Sequence, residues 1–208
     1  MQSRYHVQII EAVTTRSFSQ RAVQAVIKAN LGQDSLQGLI GHPEYHFDDS
    51  AFEKGWDYVN KQRKMLFESL REPKNPNLAW AAFGRLSHAL QDFYAHSNYV
   101  SLWLHKVGGS KESGSIDPLD KTILTHPGLR SGKAYIPWDV FTFIPFIGKY
   151  FALLMPDDSH ARMNLDSPER GPMFHFAYAA ALQSTELELK EITSGLDAEF
   201  QKMFFDRS

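Results

Sequence analysis

Residues 78–104, LAWAAFGRLSHALQDFYAHSNYVSLWL, run without a proline and are rich in alanine and leucine. Such a run predicts one long helix. Its period decides which side chains share a face. At about 3.6 residues per turn, each step of four advances about 40°. His88, Asp92 and His96 stand four apart, so they share an arc of about 80° over two turns. Burying two imidazoles and a carboxylate among apolar neighbours costs free energy unless they bond each other or coordinate something. A lone histidine there reads as a core residue bonded to a carbonyl. The triplet, crowded by Gln91, Ser97 and Asn98, points instead to ligation of one metal or of two adjacent ones.

The chain holds no cysteine. That excludes disulfides and thiolate metal sites, and leaves histidine, carboxylate, amide and backbone donors. Histidine with carboxylate is a hydrolytic type of site, with zinc favoured and other divalent metals open. The net charge of -2 and pI near 6.5 give no nucleic-acid footprint and no polybasic membrane patch.

The rest of the chain reads as all-α, one metal-binding helical domain over 1–208. Residues 17–35 predict a helix capped by Ser17 or Ser19. Residues 38–50 predict a loop and 51–70 a surface helix. EPKNPN at 72–77 breaks that helix, and 172–192 carry a last helical pattern with Pro172 at its first position. Residues 105–135 are rich in glycine, serine and proline, and predict a long loop or inserted lobe. Residues 136–156 are apolar but interrupted by Asp139, Pro145 and Lys149. A membrane-spanning helix needs about 20 apolar residues with few charges, so a span is rejected. We read 105–156 as a loop and apolar, lid-like insertion. Phe143 and Phe146 could meet acyl chains there, or pack as core. No basic-then-apolar leader opens the chain, and both a secreted or periplasmic and a cytoplasmic location stay open.

Further histidines and acids fall on other elements. His6 lies near the start, Asn30 and Asp34 end the 17–35 helix, His46, Asp48 and Asp49 follow a turn, and His160, Asn164 and Asp166 precede the last helix; singly each is a weak signal, and Asp48 and Asp49 alone read as solvated loop acids. Ligands spread over several elements are how metal sites in helical bundles are assembled.

In order, YHFDD, then RLSHALQDFYAHSN, then SHARMNLDS resemble the HET-C-like branch of the zinc-dependent phospholipase C superfamily. The resemblance implies a single-domain helical bundle of the phospholipase C type with two or three zinc ions. It implies His46, His88 and Asp92 on one zinc, His96, His160 and Asp166 or Asn164 on a second, and His6 on a third. The third zinc of those enzymes takes an N-terminal tryptophan, where this chain has Met1. Asp34 would act as the base or orient water, Asp48 would hold an imidazole N–H, and Asn98, Phe143 and Phe146 would meet substrate. The implied function is a zinc-dependent phosphoester hydrolase acting on a small phosphoester or lipid, with peripheral membrane contact possible and nucleic acid not favoured. The alternatives are a nuclease, cyclisation or alkyl transfer on a small natural product, and a non-catalytic toxin or interaction module.

Overall fold

The computed structural model describes residues 1–39, 41–109, 112–133, 135, 138 and 148–207. In chain order the helices are α1 (Ser3–Thr14), α2 (Gln20–Leu31), α3 (Leu36–Leu39), α4 (Pro43–His46), α5 (Phe52–Arg71) and α6 (Pro76–His96). They continue as α7 (Tyr99–Lys106), α8 (Lys121–Leu124), α9 (Gly148–Leu154), α10 (His160–Met163), α11 (Met173–Ser194) and α12 (Ala198–Phe205). Among the described residues there is no strand, only isolated bridges Ser97–Ser131 and Lys133–Ser159. The fold is all-α, as the helical periods require. No helix among these residues is long and apolar enough to cross a membrane.

α6 is the axis. The Asn75 side chain accepts from the Asn77 N–H, and Pro76 fills the first turn, where its missing N–H is no loss. From Ala79 to His96 almost every side chain is buried, the signature of a helix enclosed on all sides. α2, α5 and α11 pack around it. The crossing with α2 depends on Gly84. A Cβ there would stand 2.3 Å from the Val26 carbonyl oxygen and 2.9 Å from the Asn30 nitrogen. That close approach brings the end of α2, with Asn30 and Asp34, against the polar stripe of α6.

The turn after α4 is pinned by Phe47. Its backbone is left-handed, φ 55°, at a cost of about 1–2 kcal/mol. Its ring is fully buried, with centroids 4.9 Å from Trp56 and 5.2 Å from Phe93. Burying a phenylalanine side chain contributes about 1.5–3 kcal/mol, so the anchor outweighs the strain. His46 and Asp48 flank it.

Two expectations need correction. The helix over 78–104 is not continuous: it stops at His96 and restarts at Tyr99. Ser97 is extended and pairs with Ser131, and Asn98 bonds the 128–130 backbone, so tertiary pairing replaces the helical bonds. Pro172 stands one place earlier than expected, as the N-cap of α11. The 105–135 stretch is tied down, because the Tyr94 hydroxyl donates to the Pro118 carbonyl (2.8 Å) and the Tyr99 hydroxyl to that of Asp117 (2.6 Å). Phe143 and Phe146, with the rest of 139–147 of the expected lid, lie outside the described residues.

Candidate metal centre

The stripe on α6 meets four other parts of the chain at Asp92. On one side, His88 Nε2 lies 3.0 Å and His46 Nδ1 2.9 Å from Asp92 Oδ2. The two nitrogens are 3.1 Å from each other, and Asp34 Oδ1 is 3.5 Å from His88 Nε2. A tetrahedral ion with bonds of about 2.0–2.1 Å spaces its ligands about 3.4 Å apart. These four separations are close to that spacing, and the four ligand atoms all lie within 4.8 Å of one another.

On the other side stand Asp48, His96 and His160. Asp48 Oδ1 is 3.2 Å from His96 Nδ1 and 3.1 Å from His160 Nδ1. The two imidazoles meet edge to face, with ring centroids 4.4 Å apart. His96 Nε2 then faces Asp166 Oδ1 at 3.2 Å. The Met1 α-amine sits between the halves, 2.5 Å from Asp92 Oδ1, 3.0 Å from Asp166 Oδ1 and 3.2 Å from His96 Nε2.

His6 stacks on His88, ring centroids 4.4 Å apart. Its Nδ1 is bonded to Gln91 Oε1 at 2.6 Å, and its Nε2 lies 3.2 Å from Asp92 Oδ1. Gln91 also accepts from Asn30 and donates to Thr185. The amide thereby orients His6 towards Asp92, the kind of support that metal-binding imidazoles use.

Burial and charge set the protonation. Burial pushes His88 down to about 4, against the pull of Asp92, so it is neutral at pH 7. His96 moves the other way. Burial opposes its charge, but Asp92 and Asp48 outweigh it and raise its pKa well above the ordinary value. His46 is raised for a similar reason, burial being outweighed by Asp92. Burial would raise Asp92, yet the Met1 ammonium and the imidazoles hold it well below the carboxylate range. Asp48 is held low in the same way by His160 and His96. His6 Nε2 and His96 Nδ1, which face Asp92 and Asp48, are buried without a hydrogen-bond partner among the described residues, whereas the orphans of His46 and His88 are Nε2 and Nδ1, the ring nitrogens turned away from Asp92. The first two fit residues that serve as donors to a cation.

The structure thus brings together His6, Asp34, His46, His88, Asp92, His96, His160 and Asp166. Asn164 is placed differently. Its Nδ2 donates to the His160 carbonyl, so Asp166 is the acid that faces the centre. Asn98 is committed as well, donating to the Gly128 carbonyl and accepting from the Arg130 N–H. Asp48, read from the sequence as a support for one imidazole, faces two of them directly. Gln91 entered that reading only as one more polar neighbour, and its contact with His6 has no local sequence signal.

Residues 2–108 match the family model described as the VWA7 N-terminal domain. The chain belongs to this family. It is similar to von Willebrand factor A domain-containing protein 7 of mouse, 36% identical over 95 residues, 41% of this chain and 10% of that protein. The rat protein of the same name is 35% identical over 98 residues, covering 45% of this chain and 11% of its own length. The human one is 37% identical over 87 residues, covering 39% and 9%. The chain spans about a tenth of the length of the curated relatives it matches. No solved structure matches. The family corrects the resemblance drawn from motifs, which pointed to the HET-C-like branch of the phospholipase C superfamily. The expected phospholipase C-like phosphoester hydrolase falls with it. A four-residue spacing of donors on a helix is what ligand geometry demands, and it does not by itself record descent.

Proposed function

We propose that this chain is a divalent-cation-binding helical domain, with one ion held by each of two neighbouring groups of side chains. The observation that carries the reading is convergence. Asp34, His46, His88 and Asp92 each bring a ligand atom within 4.8 Å of the others, and Asp48, His96 and His160 do the same. Imidazoles with carboxylates favour zinc. When bound, such an ion supplies Lewis acidity and lowers the pKa of a water beside it. The chain's own residues do the holding. His88 offers an uncharged imidazole at neutral pH. Asp92 supplies a carboxylate to the first group and lies 3.8 Å from His96 of the second.

The rim favours a second reading, a metal-dependent enzyme over a purely structural site. Structural zinc sites are closed, whereas catalytic ones keep an open position. Here the first group offers four donors, a full tetrahedral set, while the second offers only three, Asp48, His96 and His160, and Asp166 at its edge is 25% exposed. The test is elemental analysis of protein purified without chelators, together with zinc titration of chelator-treated protein. Zinc bound at one ion per group is the expected result. A folded chain that takes up no divalent ion at micromolar zinc sinks the proposal. His88→Ala divides the two readings. Lost metal with the helical signal kept supports a working centre, and lost metal with an unfolded chain supports a structural one.

A further inference from the structure

We propose a second binding site, for a small oxyanion, in the cavity beside the C-terminal end of α6. The cavity holds about 290 Å³, and three arginines, Arg130, Arg162 and Arg170, line it. No carboxylate is among its lining residues. Three other cavities among the described residues each have at least one glutamate or aspartate in the wall. On a chain of net charge -2, a pocket lined by three cations and no anion is a local excess of charge.

Two of the three guanidiniums are uncommitted. Arg162 is paired, its Nη2 3.0 Å from Asp157 Oδ1. Arg130 and Arg170 have no side-chain hydrogen bond or ion pair among the described residues, while both carry a permanent charge. Their backbones are nevertheless held. Asn98 fixes Arg130 by two bonds, Asn98 N–H to the Arg130 carbonyl and Arg130 N–H to Asn98 Oδ1, and holds the preceding turn by a third, Asn98 Nδ2–H to the Gly128 carbonyl. Arg170 sits in the short turn Pro168–Arg170, where its N–H donates to the Ser167 carbonyl. Anchored backbones with free planar forks suit bidentate capture of an oxyanion, a phosphate or a carboxylate. The site adjoins the metal centre without sharing its ligands, because Ser97 follows His96 and Asn164 and Leu165 lie between His160 and Asp166. The arginines alone form this site, and it does not need the ions.

The experiment follows the unfolding midpoint of the full chain, as purified, in inorganic phosphate, in sodium acetate and in sodium chloride at matched ionic strength. Phosphate or acetate is expected to raise the midpoint beyond chloride. A shift with phosphate alone assigns the site to phosphate, and a shift with both assigns it to oxyanions in general. The variant R130Q/R170Q, changed only at exposed positions, should bind at least about tenfold more weakly, the loss expected for hydrogen bonds to charged groups. The unaltered chain showing no shift beyond chloride overturns the proposal. So does a double variant that keeps the full shift, since the anion would then bind away from these arginines. Metal content, measured separately, reports on the metal reading alone.

Discussion

The two halves of the candidate centre offer the same chemistry but are built differently. In the first, His88 and Asp92 stand one turn apart on α6, His46 ends α4, and Asp34 closes the turn after α2. The side chains of His88, Asp92 and His46 are 0%, 1% and 4% exposed, and only Asp34, at the rim, is open at 32%. In the second, only His96 comes from a long helix. Asp48 and His160 stand at the starts of short turns and are 16% and 19% exposed. What joins the second half is the dipeptide Gly132–Lys133. The Gly132 N–H donates to the His96 carbonyl, the Asp49 N–H to the Gly132 carbonyl, and the His160 N–H to the Lys133 carbonyl. A helix sets ligand spacing by its period, whereas a loop sets it by closing on other chain segments. The first half should therefore hold its geometry more firmly than the second.

The largest test of that contrast is Asp92→Asn. Asp92 Oδ2 faces His46 and His88, and the whole carboxylate is surrounded by buried nitrogen groups. Removing one partner of a buried charged set costs about 3–5 kcal/mol, because the remaining charges lose their counterion. The variant should lose the ion of the first group, keep part of the second, and unfold at markedly lower denaturant. Metal content and urea melts measure both effects. Full metal content with an unchanged midpoint would show that Asp92 is not the pivot.

The same contrast explains what the sequence could reveal. His88, Asp92 and His96 are legible together because one helical period relates them. α2 and α5 are legible from their apolar spacing, and Ser19 does cap α2 through the Ala22 N–H. The break at Ser97 is not, since no proline or glycine marks it and its cause is Ser131, far along the chain. The role of Asp48 is hidden for the same reason: its distance to His160 depends on how 131–133 run. Gly132 looks in the sequence like one more loop glycine. In the structure a Cβ on it would stand 2.5 Å from His160 Cα and 2.9 Å from His160 N. Gly132→Ala should push His160 out of the second group and leave the first intact. A loss of about ten- to hundredfold in affinity at one site is expected, the size seen for residues that orient metal ligands. Zinc titration should then separate into one unchanged and one weakened phase, and equal weakening of both would erase the distinction between the halves.

The smallest effect is in pH. Imidazoles ligate only when neutral, so an ion competes with their protons. Burial pushes His88 to about 4, and it gives up no proton at neutral pH. His96, raised well above the ordinary value because Asp92 and Asp48 outweigh burial, must give one up. In the cation-free chain the two act oppositely on stability. As pH falls from about 6.5, the ordinary histidine value, to about 4, the neutral His88 works increasingly against folding, and the penalty persists below that. The stability that His96 contributes is fully present below about 6.5 and is lost as pH rises through its raised folded value. Each displaced proton lowers the apparent affinity about tenfold per pH unit. Acidification from pH 8 towards 5.5 should therefore empty the second group before the first. Dialysis across that range with metal analysis measures the order. Zinc loading in two buffers of different ionisation enthalpy counts the protons. The first group also carries His46, whose raised pKa gives it some proton release near neutrality, so the separation is a lag between two curves. Simultaneous release, or loss from the first group first, would mean that the burial of His88 does not govern its proton.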